Sequence, residues 1–407
     1  MSILSHRFPR ASVVVASTLL VTALAPVAAG ASGAASPGVP SASSGGGTVF
    51  FAADGLRQDL VAQYAAAGDV PTMASFLRKG TSAAGTGLLT QAPPNTGAGW
   101  YSLATGASPG VTGSTNNTFH INGAPFANRT AAFDSGVLQA ETIAQSAERG
   151  GLKVAQVEWA GGRNGVINGP TIDFRAFFSG RGVATNYISP ADNAAFVASF
   201  GLQFDHPAGF AGQAPFPGAA PVDAAGWTNV PASYSPAKEM RLRVLDSGTD
   251  KYGLNAYLFD STNNGTTDYD TVLLSTSKSG AAPDARGTLT KGQWADVKVT
   301  ITGGALSGKT AGMLVKVEEL TADLSKVRLF HTSVSRATAT WAGWPGEPGF
   351  SGDFEEYLAA KVPTSTAADF AILEAGIVSE ETYAQQGLYW STSNKPMLEY
   401  VVKTYKP

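Results

Sequence analysis

Residues 48–54 read Thr-Val-Phe-Phe-Ala-Ala-Asp and are followed by a glycine. This short apolar run predicts a buried strand with Asp54 at its carboxyl end. Residues 92–106 read Ala-Pro-Pro-Asn-Thr-Gly-Ala-Gly-Trp-Tyr-Ser-Leu-Ala-Thr-Gly and place Thr96 at the start of a predicted helix. In an open α/β sheet, functional groups gather at the carboxyl ends of strands. We therefore expect Asp54 and Thr96 to lie together at one sheet edge, where a carboxylate and a hydroxyl would suit metal-assisted phosphoryl transfer.

The composition excludes several classes of protein. The 407 residues have a mean hydropathy of +0.00 and are 43% hydrophobic, which is enough for a core of ordinary density. Only 14% are charged and the net charge is −3, so nothing indicates binding to a nucleic-acid polymer or an anionic membrane. There is no cysteine, which excludes disulfides, thiolate zinc sites and cysteine nucleophiles. Any metal would have to bind oxygen or imidazole ligands.

The first 31 residues predict an export signal. Arg7 and Arg10 precede an apolar stretch, and residues 29–31 (Ala-Gly-Ala) form a small-residue cleavage site. A membrane anchor is the alternative, but Pro26 interrupts the segment and a linker of Ser, Gly, Ala and Pro follows at 32–47. The sequence thus predicts a secreted protein of bacterial composition, with no membrane attachment after signal cleavage.

Residues 48–237 predict the first part of an α/β core. Helical patterns, each closed by glycine, occupy 57–66, 70–80 and 136–149, and residues 152–159 predict the next strand. Strands that alternate with helices favour a mainly parallel sheet covered by helices. A return to this core is predicted at 337–407, with helices at 352–361, 366–376 and 394–405.

Residues 238–336 predict an inserted antiparallel β module. Alternation with a period of two recurs at 240–244, 294–302 and 313–318, and Asn-Asn-Gly at 263–265 is typical of a turn. We expect this interval to form a separate antiparallel layer attached at both ends.

Each candidate site residue has a structural alternative. Aspartate and threonine are both favoured N-cap residues, so Asp54 and Thr96 could simply cap helices. Catalysis is favoured because the glycines after Thr96 would leave backbone N–H groups open, and a helix N-terminus attracts phosphate. Gly97 is therefore a predicted substrate-binding residue. A threonine hydroxyl there could attack phosphorus.

Three segments carry a resemblance to a known family. Asp54-Gly55, the Pro-Thr-Met-Ala-Ser-Phe-Leu-Arg-Lys-Gly run at 71–80, and Thr96 followed by Thr-Gly at 105–106 resemble the type I phosphodiesterase/nucleotide pyrophosphatase branch of the alkaline phosphatase superfamily. The resemblance implies an alkaline-phosphatase-like fold and hydrolysis of a small phosphate ester. It also implies two divalent metal ions, usually zinc, with Asp54 as a ligand and Thr96 as the metal-bound nucleophile. Asn117 falls on the asparagine position that follows the family's His-Gly segment, which by resemblance makes it a candidate substrate-binding residue.

The chain departs from the family pattern at several places. Ala98-Gly99-Trp100 stands where the family usually has Pro-Asn-His, and the family's His-Gly is a threonine-glycine pair at 112–113. The resemblance implies further aspartate and histidine ligands in the second half of the fold. Asp205-His206 is better interpreted as a loop, and His120 and His331 have no acidic partner at ligand spacing. We therefore expect the remaining ligands beyond residue 407, and little activity from these 407 residues alone.

The sequence offers three further interpretations. Residues 260–270 partly match a calcium loop, but position twelve is threonine, which favours a polar hairpin turn. A sulfatase is disfavoured because it needs a Cys or Ser nucleophile. The competing function is a non-catalytic secreted binding protein whose β module engages glycan or cell wall on a degenerate phosphatase scaffold.

Overall fold

The computed structural model describes residues 47–84, 94–366 and 368–407. The predicted signal peptide and nearly all of the linker lie outside the described residues. The chain divides into two units, Met1–Phe50 and Phe51–Pro407. The described residues of the first unit have no regular secondary structure, and everything below concerns the second.

The predicted first strand is not formed. Residues 48–53 are neither helix nor strand, and Val49 and Phe51 are 90% and 70% exposed. A strand needs backbone partners on a neighbouring strand, and no strand among the described residues pairs with 51–53. Apolar composition alone could not supply that partner.

The helices of the described residues are α1 Gln58–Ala67, α2 Pro71–Lys79, α3 Thr96–Thr105, α4 Pro109–Thr112, α5 Ile143–Arg149, α6 Ala194–Ser199, α7 Phe354–Lys361, α8 Phe370–Glu374 and α9 Glu380–Tyr405. Two 3₁₀ turns occupy Gly162–Asn164 and Pro217–Ala219. The predictions for α1, α2 and α7 are confirmed, since α1 ends at Gly68 with φ 89° and α2 begins with its proline. The helix predicted at 136–149 begins only at the capping residue Thr142, whose hydroxyl accepts from Gln145 N.

The strands are β1 Thr118–Phe119, β2 Thr130–Ala131, β3 Gln156–Val157, β4 Thr171–Phe177, β5 Gly182–Thr185, β6 Gln203–Asp205, β7 Val222–Asp223, β8 Lys238–Leu242, β9 Leu245–Asp246, β10 Thr249–Asp250, β11 Leu254–Phe259, β12 Thr271–Ser275, β13 Ala285–Thr290, β14 Trp294–Thr300, β15 Thr310–Leu320, β16 Val327–His331 and β17 Ser335–Thr340. The strand predicted at 152–159 is thus only two residues long.

The larger sheet is mixed, not mainly parallel as predicted. Its order is β3-β4-β17-β15-β16-β5-β6, with β14 also paired to β15. Only β3–β4 and β5–β6 are parallel pairs, and all its other pairings are antiparallel. The sequence pattern around 152–200 predicted the parallel pairs, but the hairpins from 294–340 enter the same sheet between them.

The interval 238–336 consists of strands with no helix, which confirms its period-two prediction. It is not a layer of its own, however. Its first strands form the five-stranded sheet β13-β12-β11-β8-β7, and its later strands belong to the larger sheet. Strand pattern identifies each strand but not its sheet, because pairing partners are decided in three dimensions. The proposed domain boundaries at 238 and 336 remain a prediction.

The core lies on both faces of the larger sheet. Leu242, Leu254 and Leu274 of the five-stranded sheet pack with Met313 and Val315 of β15, so the two sheets face each other. On the opposite face, α6 and α8 cover β5, β6 and β16, whereas α7 and α9 cover β4 and β17. The two larger sheets and the layer formed by α6 to α9 therefore make a mixed α/β arrangement, and β1-β2 and β9-β10 form two further two-stranded sheets.

Within the described ranges, none of the helices has the combined length and apolar character that crossing a membrane requires.

Candidate functional site

The N-terminus of α3 holds the predicted nucleophile. Thr96 is the first residue of the helix, after Asn95 at the N-cap, and it is half-buried. Its hydroxyl has no hydrogen-bond partner among residues 47–84, 94–366 and 368–407. A hydroxyl at this position faces the positive end of the helix dipole, which favours an anion nearby. Thr96 is therefore placed as a phosphate-directed group would need to be.

The backbone N–H of Gly97 is not open, contrary to expectation. It donates to Asn117 Oδ1 at 2.7 Å. Glycine is needed here because a Cβ would lie 2.3 Å from the Ala132 Cβ and 2.8 Å from the Asn116 carbonyl oxygen. The structure thus joins Gly97 and Asn117 as hydrogen-bond partners of one another, and that they bind substrate remains a prediction.

Within the described residues, the side-chain amide nitrogen of Asn117 is available to donate a hydrogen bond. Asn117 is exposed, and its Nδ2 has no partner in the described part of the chain. Because Oδ1 is held by Gly97, the side chain presents N–H donors beside the start of α3. An asparagine held in this way could still donate to a phosphate oxygen.

A second pair of asparagines, Asn95 and Asn116, lies near the start of α3 and was not predicted from the sequence. Asn95 Nδ2 donates to Asn116 Oδ1, which also accepts from the Asn117 backbone N–H at 2.7 Å. Asn95 Oδ1 is buried and has no hydrogen-bond partner among the described residues. In the sequence, Asn116 is marked only by an Asn-x-Thr sequon, which Asn128 and Asn264 share and which is common in ordinary loops.

Asp54 contacts the helix that Thr96 begins. Trp100 Nε1 donates to Asp54 Oδ2 at 3.1 Å, and the Trp100 ring packs edge-on against Trp159 with centroids 5.0 Å apart. Trp100 follows Thr96 by four residues, so both lie on one face of α3, about one turn apart. That Asp54 and Thr96 share a metal remains a prediction. Trp100 itself was noticed only as a departure from the family pattern.

The residues present do not fit a two-metal centre. A catalytic zinc site uses three protein ligands per ion. Asp54 and Thr96 offer two ligand side chains, and no group of three or more His, Asp or Glu that could hold a metal occurs in the described ranges. Asp54 is also exposed to solvent.

The remaining histidine candidates are structural, except His6, which lies outside the described residues. Asp205 is buried and forms an ion pair with Arg243, whose Nε lies 3.1 Å from Asp205 Oδ2. His206 accepts from Ala208 N at 3.2 Å in a loop, as predicted. His120 is exposed and packs against Phe126.

His331 is completely buried on β16. Its Nδ1 lies 3.1 Å from the Thr332 carbonyl oxygen, whereas Nε2 has no partner among the described residues. Burial lowers the pKa of His331 to about 4, against weaker opposing effects of that hydrogen bond and the charges of Asp205 and Asp250. A neutral buried imidazole of this kind is part of the core.

The calcium-like segment is a polar hairpin between β11 and β12. Asp260 accepts from Ser235 Oγ at 2.7 Å and from Thr262 N at 3.2 Å. Asp270 accepts from Ser261 N at 3.0 Å and Ser261 Oγ at 2.7 Å. Donors within the turn and Ser235 from outside it thus satisfy these carboxylates, in agreement with the turn interpretation.

Burial raises the pKa of one further acid near the candidate site. Glu158 directly follows β3, has φ 54°, and pairs with buried Arg175 at 2.7 Å. Desolvation raises the pKa of Glu158 and lowers the pKa of Arg175. Its chain neighbour Trp159 is the residue that packs against Trp100. The sequence predicted only a strand residue at this position.

Comparison with known proteins supports, for part of the chain, the family resemblance described from the sequence. Residues 48–200 match the model of the Type I phosphodiesterase / nucleotide pyrophosphatase family, which confirms the resemblance noted from sequence. The match spans less than half of the chain and supports a hydrolase of this general type, from a family that is generally metal-dependent and acts on small phosphate esters. No curated protein and no solved structure matches the chain.

Proposed function

We propose that this protein is a secreted hydrolase of small phosphate esters, of the phosphodiesterase/nucleotide pyrophosphatase type, with Thr96 as its nucleophile. The observation that carries the proposal is the Thr96 hydroxyl at the N-terminus of α3, which has no hydrogen-bond partner among the described residues and lies within the segment that matches the family. A hydroxyl, a helix N-terminus and the Asn117 amide together supply a nucleophile and donors for phosphate oxygens.

The reaction follows from these groups. Thr96 Oγ1 forms a bond to phosphorus while the bond from phosphorus to the leaving alcohol breaks, and that alcohol takes up a proton. Water then hydrolyses the phosphothreonine and restores the hydroxyl. Asn117 Nδ2 would donate to a non-bridging oxygen and orient the ester.

The family's two divalent ions, usually zinc, are part of the proposal only as an expectation. They would supply charge stabilisation for phosphoryl transfer. Because the donor set around Thr96 does not reach three ligands in the described ranges, we propose that the 407-residue chain is close to inactive by itself.

A second candidate is a non-catalytic secreted binding protein. It is favoured by the same missing ligands and by the Gly97 N–H, which is engaged by Asn117 instead of being open to phosphate. In that case the α3 site is a degenerate scaffold and the β strands carry the function.

The deciding experiment is a hydrolysis and trapping assay with a nitrophenyl nucleotide diester, with and without added zinc. We expect turnover close to background, and a small fraction of phosphorylated peptide at Thr96 by mass spectrometry. Thr96→Ala should remove the modification and Thr96→Ser should retain part of it. Thr105→Ala, at the other end of α3, is the matched control. Modification that survives in Thr96→Ala would refute the nucleophile, whereas no modification in any variant would favour the binding protein.

A further inference from the structure

A cleft of about 390 Å³ opens beside the five-stranded sheet, away from α3. Asp223, Trp227, Val230 and Pro236 line it from the segment before β8, and Tyr257 of β11 lines it from the sheet. Its volume lies at the small end of ligand sites, which span about 300–1,000 Å³. It is thus large enough for one or two rings of a small ligand.

The aromatic wall of the cleft is held in a fixed orientation. Trp227 Nε1 donates to Glu239 Oε2 at 2.6 Å, and Lys278 Nζ holds the other oxygen of Glu239 at 2.8 Å. The Trp227 ring packs 5.0 Å from the Tyr257 ring, yet Trp227 stays half-buried. A partly open indole whose orientation is already set loses little entropy when a ligand stacks on it.

The charges beside the cleft cancel. Asp223 pairs with Lys238 at 2.6 Å, as Glu239 does with Lys278 at 2.8 Å. The cleft therefore favours neither an anion nor a cation. The Asp223 side chain is 86% exposed, and only its Oδ1 contacts Lys238, so Oδ2 can accept from a hydroxyl.

We propose that this cleft binds a neutral oligosaccharide. The C–H groups on one face of a sugar ring carry partial positive charge and suit the negative face of an indole, while the ring hydroxyls donate to a carboxylate. Trp227 would stack on the ring and Asp223 would accept from its hydroxyls. The site does not depend on the α3 site or its chemistry.

The simpler interpretation is that Trp227 only covers Tyr257, Phe259 and Leu273 on this face of the sheet. Both interpretations predict that Trp227→Ala lowers stability, so stability cannot separate them. Only the proposal predicts saccharide binding that changes with both Trp227 and the exposed Asp223.

The experiment is calorimetric titration of the full chain with cellohexaose, chitohexaose and maltohexaose, with anionic hexagalacturonate for comparison. We expect at least one neutral hexasaccharide to bind with a Kd of about 1 mM or tighter. Trp227→Ala should weaken binding about tenfold and Asp223→Asn about threefold. Tyr234→Ala, an exposed aromatic outside the cleft lining, is the matched control and should bind like the wild type.

If Trp227→Ala does not fold, two other measurements test the proposal. One is the saccharide affinity of Asp223→Asn. The other is the shift of the Trp227 indole N–H resonance on titration, which is assigned with Trp227→Phe. The proposal is overturned if no neutral hexasaccharide binds at that affinity, if hexagalacturonate binds more tightly, or if the Asp223 and Trp227 variants bind like the wild type.

Discussion

Acid should destabilise this protein through His331. The imidazole is completely buried, its Nδ1 contacts the Thr332 carbonyl, and Nε2 has no partner among the described residues. Protonation would place a charge at Nε2 with nothing there to accept the new hydrogen, which is why burial lowers its pKa from 6.5 to about 4. The unfolded chain, in contrast, exposes this imidazole to water.

The direction of the pH dependence of stability follows from the lowered pKa of His331. Between 6.5 and about 4 the unfolded state binds the proton and the folded state does not, so stability is present above pH 6.5 and is lost as the pH falls through this window. One pKa unit corresponds to about 1.4 kcal/mol, so the full loss is about 3 kcal/mol. About 2 kcal/mol of it should be lost between about pH 7 and about pH 5.

The assay is urea unfolding followed by far-ultraviolet circular dichroism at several pH values, for the wild type and His331→Gln. The amide of glutamine can still donate to the Thr332 carbonyl but does not titrate. We expect the free energy of unfolding of His331→Gln to depend less steeply on pH, by about 2 kcal/mol between about pH 7 and about pH 5. Other groups titrate in both proteins and cancel in the difference.

His120→Gln, which removes a histidine from an exposed loop, is the control and should follow the wild type. Parallel pH profiles for the wild type and His331→Gln would refute the reasoning. That result would mean that His331 is solvated or paired in solution.

Three other predictions concern separate parts of the structure. Gly97→Ala should lower the free energy of unfolding by about 1–3 kcal/mol, because its Cβ has no room. Gly99→Ala, where nothing lies within 4 Å, should be neutral or slightly stabilising in the same urea assay. Arg328→Met should cost about 3–5 kcal/mol by leaving Asp192 buried without its ion-pair partner, and the double substitution with Asp192→Leu should recover part of that loss. In any form of the protein that hydrolyses an aryl phosphodiester, Thr96→Ala should abolish that hydrolysis and Thr96→Ser should retain part of it, by colorimetric assay with unchanged circular dichroism.

Local sequence signals predicted the helices with clear ends. Pro71 at the start of α2 and Gly68 after α1 act within one turn of chain, so their effect does not depend on distant residues. The same holds for Thr96, because a Pro-Pro-Asn run before it and a glycine after Thr105 delimit α3. The turn at 263–265 was predicted for the same local reason.

Pairing between distant segments was not predictable in this way. The strands β16 and β17 pair with β5 and β4, which brings Arg328 opposite Thr185 and Ser335 opposite Phe177, and no local period reveals pairing at such long range. The apolar run before Asp54 has every local property of a strand. It is exposed nevertheless, because a strand also needs a neighbouring strand to pair with, and none of the described strands pairs with it.

The candidate site shows the same division between local properties, which the sequence predicts, and long-range contacts, which it does not. The sequence by itself determined that Thr96 begins a helix and that Asp54 and Asn117 are polar residues able to meet it, because residue type and helix ends are local properties. Only the tertiary structure decided that Asn117 holds the Gly97 N–H and that Trp100 holds Asp54. These hydrogen bonds join residues 20 and 46 positions apart, and only the packing of the whole chain brings such pairs within bonding distance.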